Sequence, residues 1–221
     1  MLAPNEPGPI TRWLSRTGGV GFSAYAITAA FFTYFCMYAF RKPFAVGTFA
    51  SEPQVELPLI GAMDYKIVLI IAQVIGYCLS KFIGIKVISE MDGNRRGLAI
   101  LATVGIAELA LAGFAVVPAP WNAVCLFLNG IPLGMVWGLV FGYLEGRRLS
   151  EALGAGLSGS YIVASMFVKT VGGWVMAWGI SEFWMPFVTG LIFLPFLCFF
   201  VWILSKLPPP TPEDEALRTR R

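Results

Sequence analysis

Long apolar stretches separated by short polar segments make up most of the chain. A helix needs roughly 20 apolar residues to cross about 30 Å of hydrocarbon, and six stretches reach that length. They predict transmembrane helices near residues 21–44, 65–88, 97–117, 121–144, 152–180 and 183–205. With 57% apolar and only 13% charged residues, the composition agrees with this pattern. We therefore expect an all-α, polytopic membrane protein with six transmembrane helices.

Basic residues collect on one side of the predicted spans, whereas the alternate loops are mainly acidic. Lysine and arginine are usually retained on the cytoplasmic side, so both termini are expected in the cytoplasm. The first eight residues lack the basic start and apolar stretch of a signal peptide, so the first span should remain in place. We expect a multi-pass protein of the cell (inner) membrane. The net charge of +3 reflects this topology rather than nucleic-acid binding.

Several charged residues fall inside the predicted spans. A charge at membrane depth is costly unless it is paired or solvated, which makes it a candidate functional residue. Counting about 1.5 Å per residue, Arg41 and Lys169 lie in the outer half, while Lys81 and Glu108 lie closer to the cytoplasm. We expect Lys81 and Glu108 to form an internal ion pair. That pairing leaves Arg41, Lys42 and Lys169 without a carboxylate, which predicts an anion site.

Other interpretations of the first span stay open. Arg41 and Lys42 can mark a helix end whose side chains reach toward the outer headgroups. Against this, apolar residues resume two positions later, so we expect the helix to continue past the charges with a kink at Pro43. Tyr34 and Tyr38 share the helical face of Arg41. Their hydroxyls would either meet a ligand or anchor the helix at the membrane interface.

The fourth predicted span carries a stripe of glycines at every fourth position, Gly130, Gly134, Gly138 and Gly142. Such a stripe lets helix backbones approach closely, either for helices that slide or for static packing.

The chain contains no histidine, and its four cysteines lie singly in apolar spans. This composition disfavours metal centres and Ser-His or Cys-His hydrolases. We expect no cofactor and no metal, and we rank a membrane enzyme below a transporter.

Short motifs on three predicted elements carry a resemblance to a known family. They are the tyrosine-rich stretch before Arg41-Lys42, the triplet Ser80-Lys81-Phe82, and the loop Asp92-Gly93-Asn94-Arg95-Arg96. From about residue 21 to residue 213, the chain resembles the amino-terminal half of a major facilitator superfamily transporter, most of all the organophosphate:phosphate antiporter branch. The resemblance implies a six-helix half in which Arg41 and Lys81 contact a substrate phosphate. It also implies a cytoplasmic latch of Asp92, Arg95 and Arg96, for which an ordinary charged loop is the alternative.

These observations predict half of a secondary active transporter that moves a small anionic solute, such as phosphate or an organophosphate, by alternating access. The expected substrate-binding residues are Arg41, Lys42, Lys81, Lys169, Tyr34 and Tyr38. A second six-helix half would supply the other wall, either as a carboxy-terminal half or as a second copy. The proline-rich and then charged segment 207–221 is typical of a cytoplasmic linker to such a half. Membrane lipids are the remaining expected partner. A non-transporting receptor or sensor with the same fold is the alternative.

Overall fold

The computed structural model describes residues 8–58, 61–89, 91, 93–145 and 150–209. This part of the chain contains seven α-helices, which are α1 (Pro9–Arg16), α2 (Gly19–Met37), α3 (Tyr65–Ser89), α4 (Arg96–Val116), α5 (Ala123–Phe141), α6 (Ser150–Ala177) and α7 (Met185–Leu204). Short 3₁₀ helices span Tyr38–Phe40, Pro43–Val46 and Gly93–Arg95, and an antiparallel hairpin joins β1 (Val55–Leu57) to β2 (Gly61–Met63). At 77% helix, the structure confirms the predicted all-α class.

Helices α2 to α7 are each long and apolar enough to cross a membrane, and they correspond to the six predicted spans. Helix α1 was not predicted. It is a short amphipathic helix that packs on the end of α7, where the Thr11 hydroxyl donates a hydrogen bond to the Lys206 carbonyl (3.0 Å). Leu14 is its one fully buried side chain. The last predicted segment, 207–221, lies mostly outside the described residues, which end at residue 209.

The first span does not continue past Arg41 as an α-helix, contrary to the prediction. Helix α2 ends at Met37, a 3₁₀ turn follows, and Arg41 has non-helical backbone angles (φ −123°, ψ −46°). Pro43 explains this interruption, because it lacks an N–H and its ring would clash with the carbonyl four residues earlier. Proline fits the first position of a helix well, and a second 3₁₀ helix begins at Pro43.

The helices pack in two groups that share a core. Helix α3 packs mainly on α5, which also packs on α4, while α2 packs on α6 and α7. Contacts of α4 with α7 close the bundle. A smaller apolar cluster, which includes Phe44, Phe49, Tyr65 and Phe114, fills the end that carries the 47–64 loop. We call this end the loop end of the bundle.

The glycine stripe of α5 lies against α3. A Cβ at position 130 would lie 2.8 Å from the Tyr77 nitrogen, and one at position 134 would lie 2.8 Å from the Tyr77 carbonyl oxygen. Further along, Gly138 faces the side chain of Ile88, and Gly142 faces the guanidinium of Arg96. Because backbone atoms occupy the space beside Gly130 and Gly134, the stripe sets the distance between α3 and α5.

Candidate functional site

Arg41 lies at the depth of the spanning helices rather than in the loop at the loop end. The Gln73 side-chain amide donates a hydrogen bond to the Arg41 carbonyl (3.1 Å). Gln73 follows Tyr65, the first residue of α3, by eight positions, which is about 12 Å of helix. Lys169 precedes Ala177, the last residue of α6, by eight positions as well. Both cations are therefore displaced from the loop end by a similar length of helix.

Two buried side-chain amides, Gln73 and Asn129, hold the interrupted end of α2. Asn129 donates hydrogen bonds to the carbonyls of Phe40 (3.0 Å) and Ala107 (2.9 Å). Gln73 donates to Asn129 Oδ1 (2.9 Å) as well as to Arg41. An unsatisfied carbonyl is costly in a lipid-embedded bundle, so these amides make the interruption tolerable. We call Gln73 and Asn129 the amide bridge.

The side chain of Arg41 joins a group of tyrosines. Its guanidinium carbon lies 3.7 Å from the centre of the Tyr77 ring, and Lys81 Nζ lies 4.6 Å from the same ring. The rings of Tyr34 and Tyr38 meet edge to face at 5.5 Å, and the Tyr34 hydroxyl interacts with that of Tyr77. These five residues form one cation–tyrosine cluster, which spans α2, its 3₁₀ extension, the break at Arg41 and α3.

Two further cations stand beside this cluster. Lys42 lies in the segment between the first two spans, and burial lowers its pKa, as do the positive charges of Arg41 and then Lys169. Helix α6 brings Lys169 there, because Gly172, one turn beyond it, packs against Pro43. Nε of Arg41 is buried and has no hydrogen-bond partner. Within the described residues, the cations thus gather without a carboxylate.

The predicted site residues differ in exposure. Tyr34 and Tyr38 are buried, Arg41 and Lys42 are half-buried, and Lys81 and Lys169 are exposed. Sequence reasoning missed three residues of this region, Tyr77, Gln73 and Asn129. The two amides were visible in the sequence as isolated polar residues in otherwise apolar spans, a pattern typical of hydrogen bonds between membrane helices.

The predicted ion pair between Lys81 and Glu108 is wrong. Lys81 Nζ donates to the Gly134 carbonyl (3.0 Å) and stands over Tyr77. Glu108 instead faces Gly190 of α7, and neither of its carboxyl oxygens has a hydrogen-bond partner. The two side chains point in different directions. Lys81 lies on α3 and reaches α5, whereas Glu108 lies on the face of α4 that packs against α7.

The latch predicted at the opposite end is described only in part. Asp92 lies outside the described residues, and Arg95 is exposed. Arg96 donates a hydrogen bond from Nη1 to the Gly142 carbonyl. This bond satisfies a carbonyl at the end of α5 and joins that end to the start of α4.

A protein-family model matches most of the chain. The model of a protein family described as a family of unknown function, DUF5690, matches residues 43–221. The match begins two residues after Arg41 and includes Lys81, Glu108, Asn129 and Lys169. Neither the curated proteins nor the solved structures include a match to the chain.

Proposed function

The chain belongs to DUF5690, a family of unknown function, and we propose that it is the anion-binding unit of a secondary active transporter. The observation that supports this proposal most is the group of cations at Arg41, Lys42, Lys81 and Lys169, which gathers at the depth of the spanning helices without a carboxylate among the described residues. Charged side chains at such depth commonly line the pathway of a solute.

The chemistry of the cluster favours a small oxyanion. The guanidinium of Arg41 is planar and can donate two parallel hydrogen bonds to phosphate or carboxylate. The Tyr77 ring supports one face of the guanidinium, so part of the ordering that binding requires is already present. The hydroxyls of Tyr34 and Tyr38 add neutral donors beside it. Phosphate or an organophosphate is therefore the proposed solute class.

Alternating access is the proposed mode of transport. The resemblance to the amino-terminal half of a major facilitator transporter supports rocking of this unit against a second six-helix unit, with the solute bound between them. Lys81 and Lys169 are exposed in this chain alone, as expected for side chains that face such a partner. A carboxy-terminal half or a second copy of the chain would serve as that partner, in the inner membrane.

Uptake of labelled sulfate and phosphate into proteoliposomes made with the full-length protein tests this proposal. We expect Arg41→Ala and Lys81→Ala to abolish uptake, and to weaken sulfate binding by the purified protein in detergent. Lys206→Ala is the matched control, because Lys206 also stands over an aromatic ring, Trp202 (5.2 Å), but follows the last residue of α7, at the opposite end.

Two results would contradict the proposal in different ways. If both cluster variants bind and transport sulfate as the wild type does, the site is not an anion site. If the wild type binds sulfate in an Arg41-dependent manner but shows no flux, transport is wrong and a receptor with the same pocket is favoured.

A further inference from the structure

Glu108 is a buried acid that the cation–tyrosine cluster does not use. It lies in the middle of α4, only 6% exposed, and neither carboxyl oxygen has a hydrogen-bond partner. Its carboxyl group packs directly against Gly190 of α7, where an alanine Cβ would lie 2.8 Å from the carboxyl carbon. The side chain thus lies in the α4–α7 contact without a hydrogen bond to hold it there.

The elements packed against α4 offer this carboxyl group no counter-charge. Helices α5 and α7 contain no acidic or basic residue, and their titratable groups are two thiols, Cys125 and Cys198. The 3₁₀ helix Tyr38–Phe40 adds one phenol, and the guanidinium of Arg41 beside it faces Tyr77 instead. Arg95 and Arg96 stand at the far end of α4, about 18 Å along the helix. An ionised carboxylate in apolar surroundings is far more costly than the neutral acid, so this packing suits a protonated Glu108.

The backbone next to Glu108 is connected to the anion site. Asn129 bonds the carbonyl of Ala107, the neighbour of Glu108, and with its other N–H it bonds the carbonyl of Phe40. The same amide bridge continues through Gln73 to the Arg41 carbonyl. A displacement of α4 at Glu108 therefore moves the groups that hold Arg41 in place.

We propose that Glu108 is a proton-binding site that couples anion movement to protons, an inference that rests on the proposed transport function. Separation of α4 and α7 admits water, and an aqueous proton adds to the Glu108 carboxylate. The neutral acid then lets the two helices close over it. Through the amide bridge, this closure changes the position of Arg41. Release of the proton to water on the other side of the membrane returns Glu108 to the carboxylate form.

The first experiment compares sulfate uptake into proteoliposomes with and without an inwardly directed proton gradient. We expect the gradient to accelerate uptake by the wild type, and we expect this acceleration to be lost in Glu108→Gln, which mimics the protonated acid permanently. Glu56→Gln is the matched control, because Glu56 is an exposed acid in β1. It should respond to the gradient as the wild type does. An unchanged response of Glu108→Gln overturns the coupling.

The second experiment detects the proton itself and does not depend on transport. Infrared spectra of the membrane-embedded protein should contain the C=O stretching band of a carboxylic acid free of hydrogen bonds, and Glu108→Gln should lack that band. Absence of the band in the wild type at neutral pH overturns the proton site. A wild type that has the band but takes up no sulfate overturns the proposed transport and its coupling, while it supports proton binding at Glu108.

Discussion

Arg41 shows how a single residue in this protein combines a restrained backbone with an unsatisfied side chain. The Gln73 amide fixes its carbonyl, and the Tyr77 ring covers one face of its guanidinium. Its buried Nε nevertheless lacks a hydrogen-bond partner. A buried polar group in that state is costly unless a ligand completes it. We therefore expect sulfate binding to require arginine at this position and not only a positive charge.

Arg41→Lys should accordingly weaken sulfate binding although it keeps the charge. A lost hydrogen bond to a charged group is worth about 1.5–3 kcal/mol, so we expect a loss of affinity of roughly 10- to 100-fold. Isothermal titration of the purified protein measures this change. Lys206→Arg, the reverse exchange at the distant end of the bundle, should leave the affinity unchanged. Equal affinities of wild type and Arg41→Lys would contradict a two-point contact.

Lys42 should make sulfate binding sensitive to alkaline pH. Burial and the charges of Arg41 and Lys169 lower its pKa below the usual 10.5. A lysine attracts an anion only while it is protonated, so its contribution is present below this lowered pKa and disappears as the pH rises through it. Sulfate itself does not titrate in this range. We expect the affinity to fall at a lower pH than for an ordinary lysine.

The matched variant for this pH dependence is Lys42→Gln. It should bind sulfate more weakly at neutral pH and lose less affinity as the pH rises. Bound sulfate also favours the protonated lysine, so the wild type should take up protons on binding, measurable as a dependence of the binding heat on the buffer. Parallel pH profiles of the two proteins would show that Lys42 does not face the anion.

Asn129 should matter for stability as well as for binding. Asn129→Leu leaves the carbonyl of Phe40 without a donor and removes one of the two acceptors of the Gln73 amide, and each unsatisfied buried group costs about 1–3 kcal/mol. We expect a loss of unfolding free energy of at least about 2 kcal/mol, measured by SDS-induced unfolding in mixed micelles. Thr103→Val is the control, because that hydroxyl bonds only carbonyls of its own helix. Equal stability of the two variants would contradict the amide bridge.

At the scale of helices, the sequence predicted the positions of the spans well, but it did not predict which side chains meet between them. Hydrocarbon thickness dictates span length, so apolar stretches alone located α2 to α7. Residue counting also gave similar depths for Arg41 and Lys169. It could not give the direction in which a side chain points across the bundle, and this is why the Lys81–Glu108 pair was wrong. Helix α1 was missed because an amphipathic helix of eight residues gives no membrane-length signal.

The contact between α3 and α5 should tolerate no side chain at Gly134. Its Cβ would lie 2.8 Å from the Tyr77 carbonyl oxygen, whereas a Cβ at Gly173 has open space. Overpacking costs about 1–3 kcal/mol, so Gly134→Ala should lower the thermal unfolding temperature. Gly173→Ala, which gains up to about 1 kcal/mol of helix propensity, should not. Because Tyr77 and the Gly134 carbonyl also hold Lys81, we expect weaker sulfate binding only in Gly134→Ala.

At the scale of the whole molecule, polar groups form a connected layer across a largely apolar bundle. The amide bridge and Glu108 come from three different helices, and Arg41 comes from the break after α2, yet hydrogen bonds or adjacent backbone join them. Such a layer connects the α2–α6–α7 group to the α3–α4–α5 group. A change at one site can therefore alter how the two groups pack.

The distribution of basic residues predicts the orientation of the bundle in the membrane. Arg95 and Glu56 are both exposed and stand at opposite ends of α3. In a background with the four cysteines replaced by alanine, Glu56→Cys should react with a membrane-impermeant maleimide in intact cells. Arg95→Cys should react only after permeabilisation, because basic ends are retained in the cytoplasm. Reaction of both from outside would contradict the crossing of α3, whereas reversed labelling would contradict only the orientation.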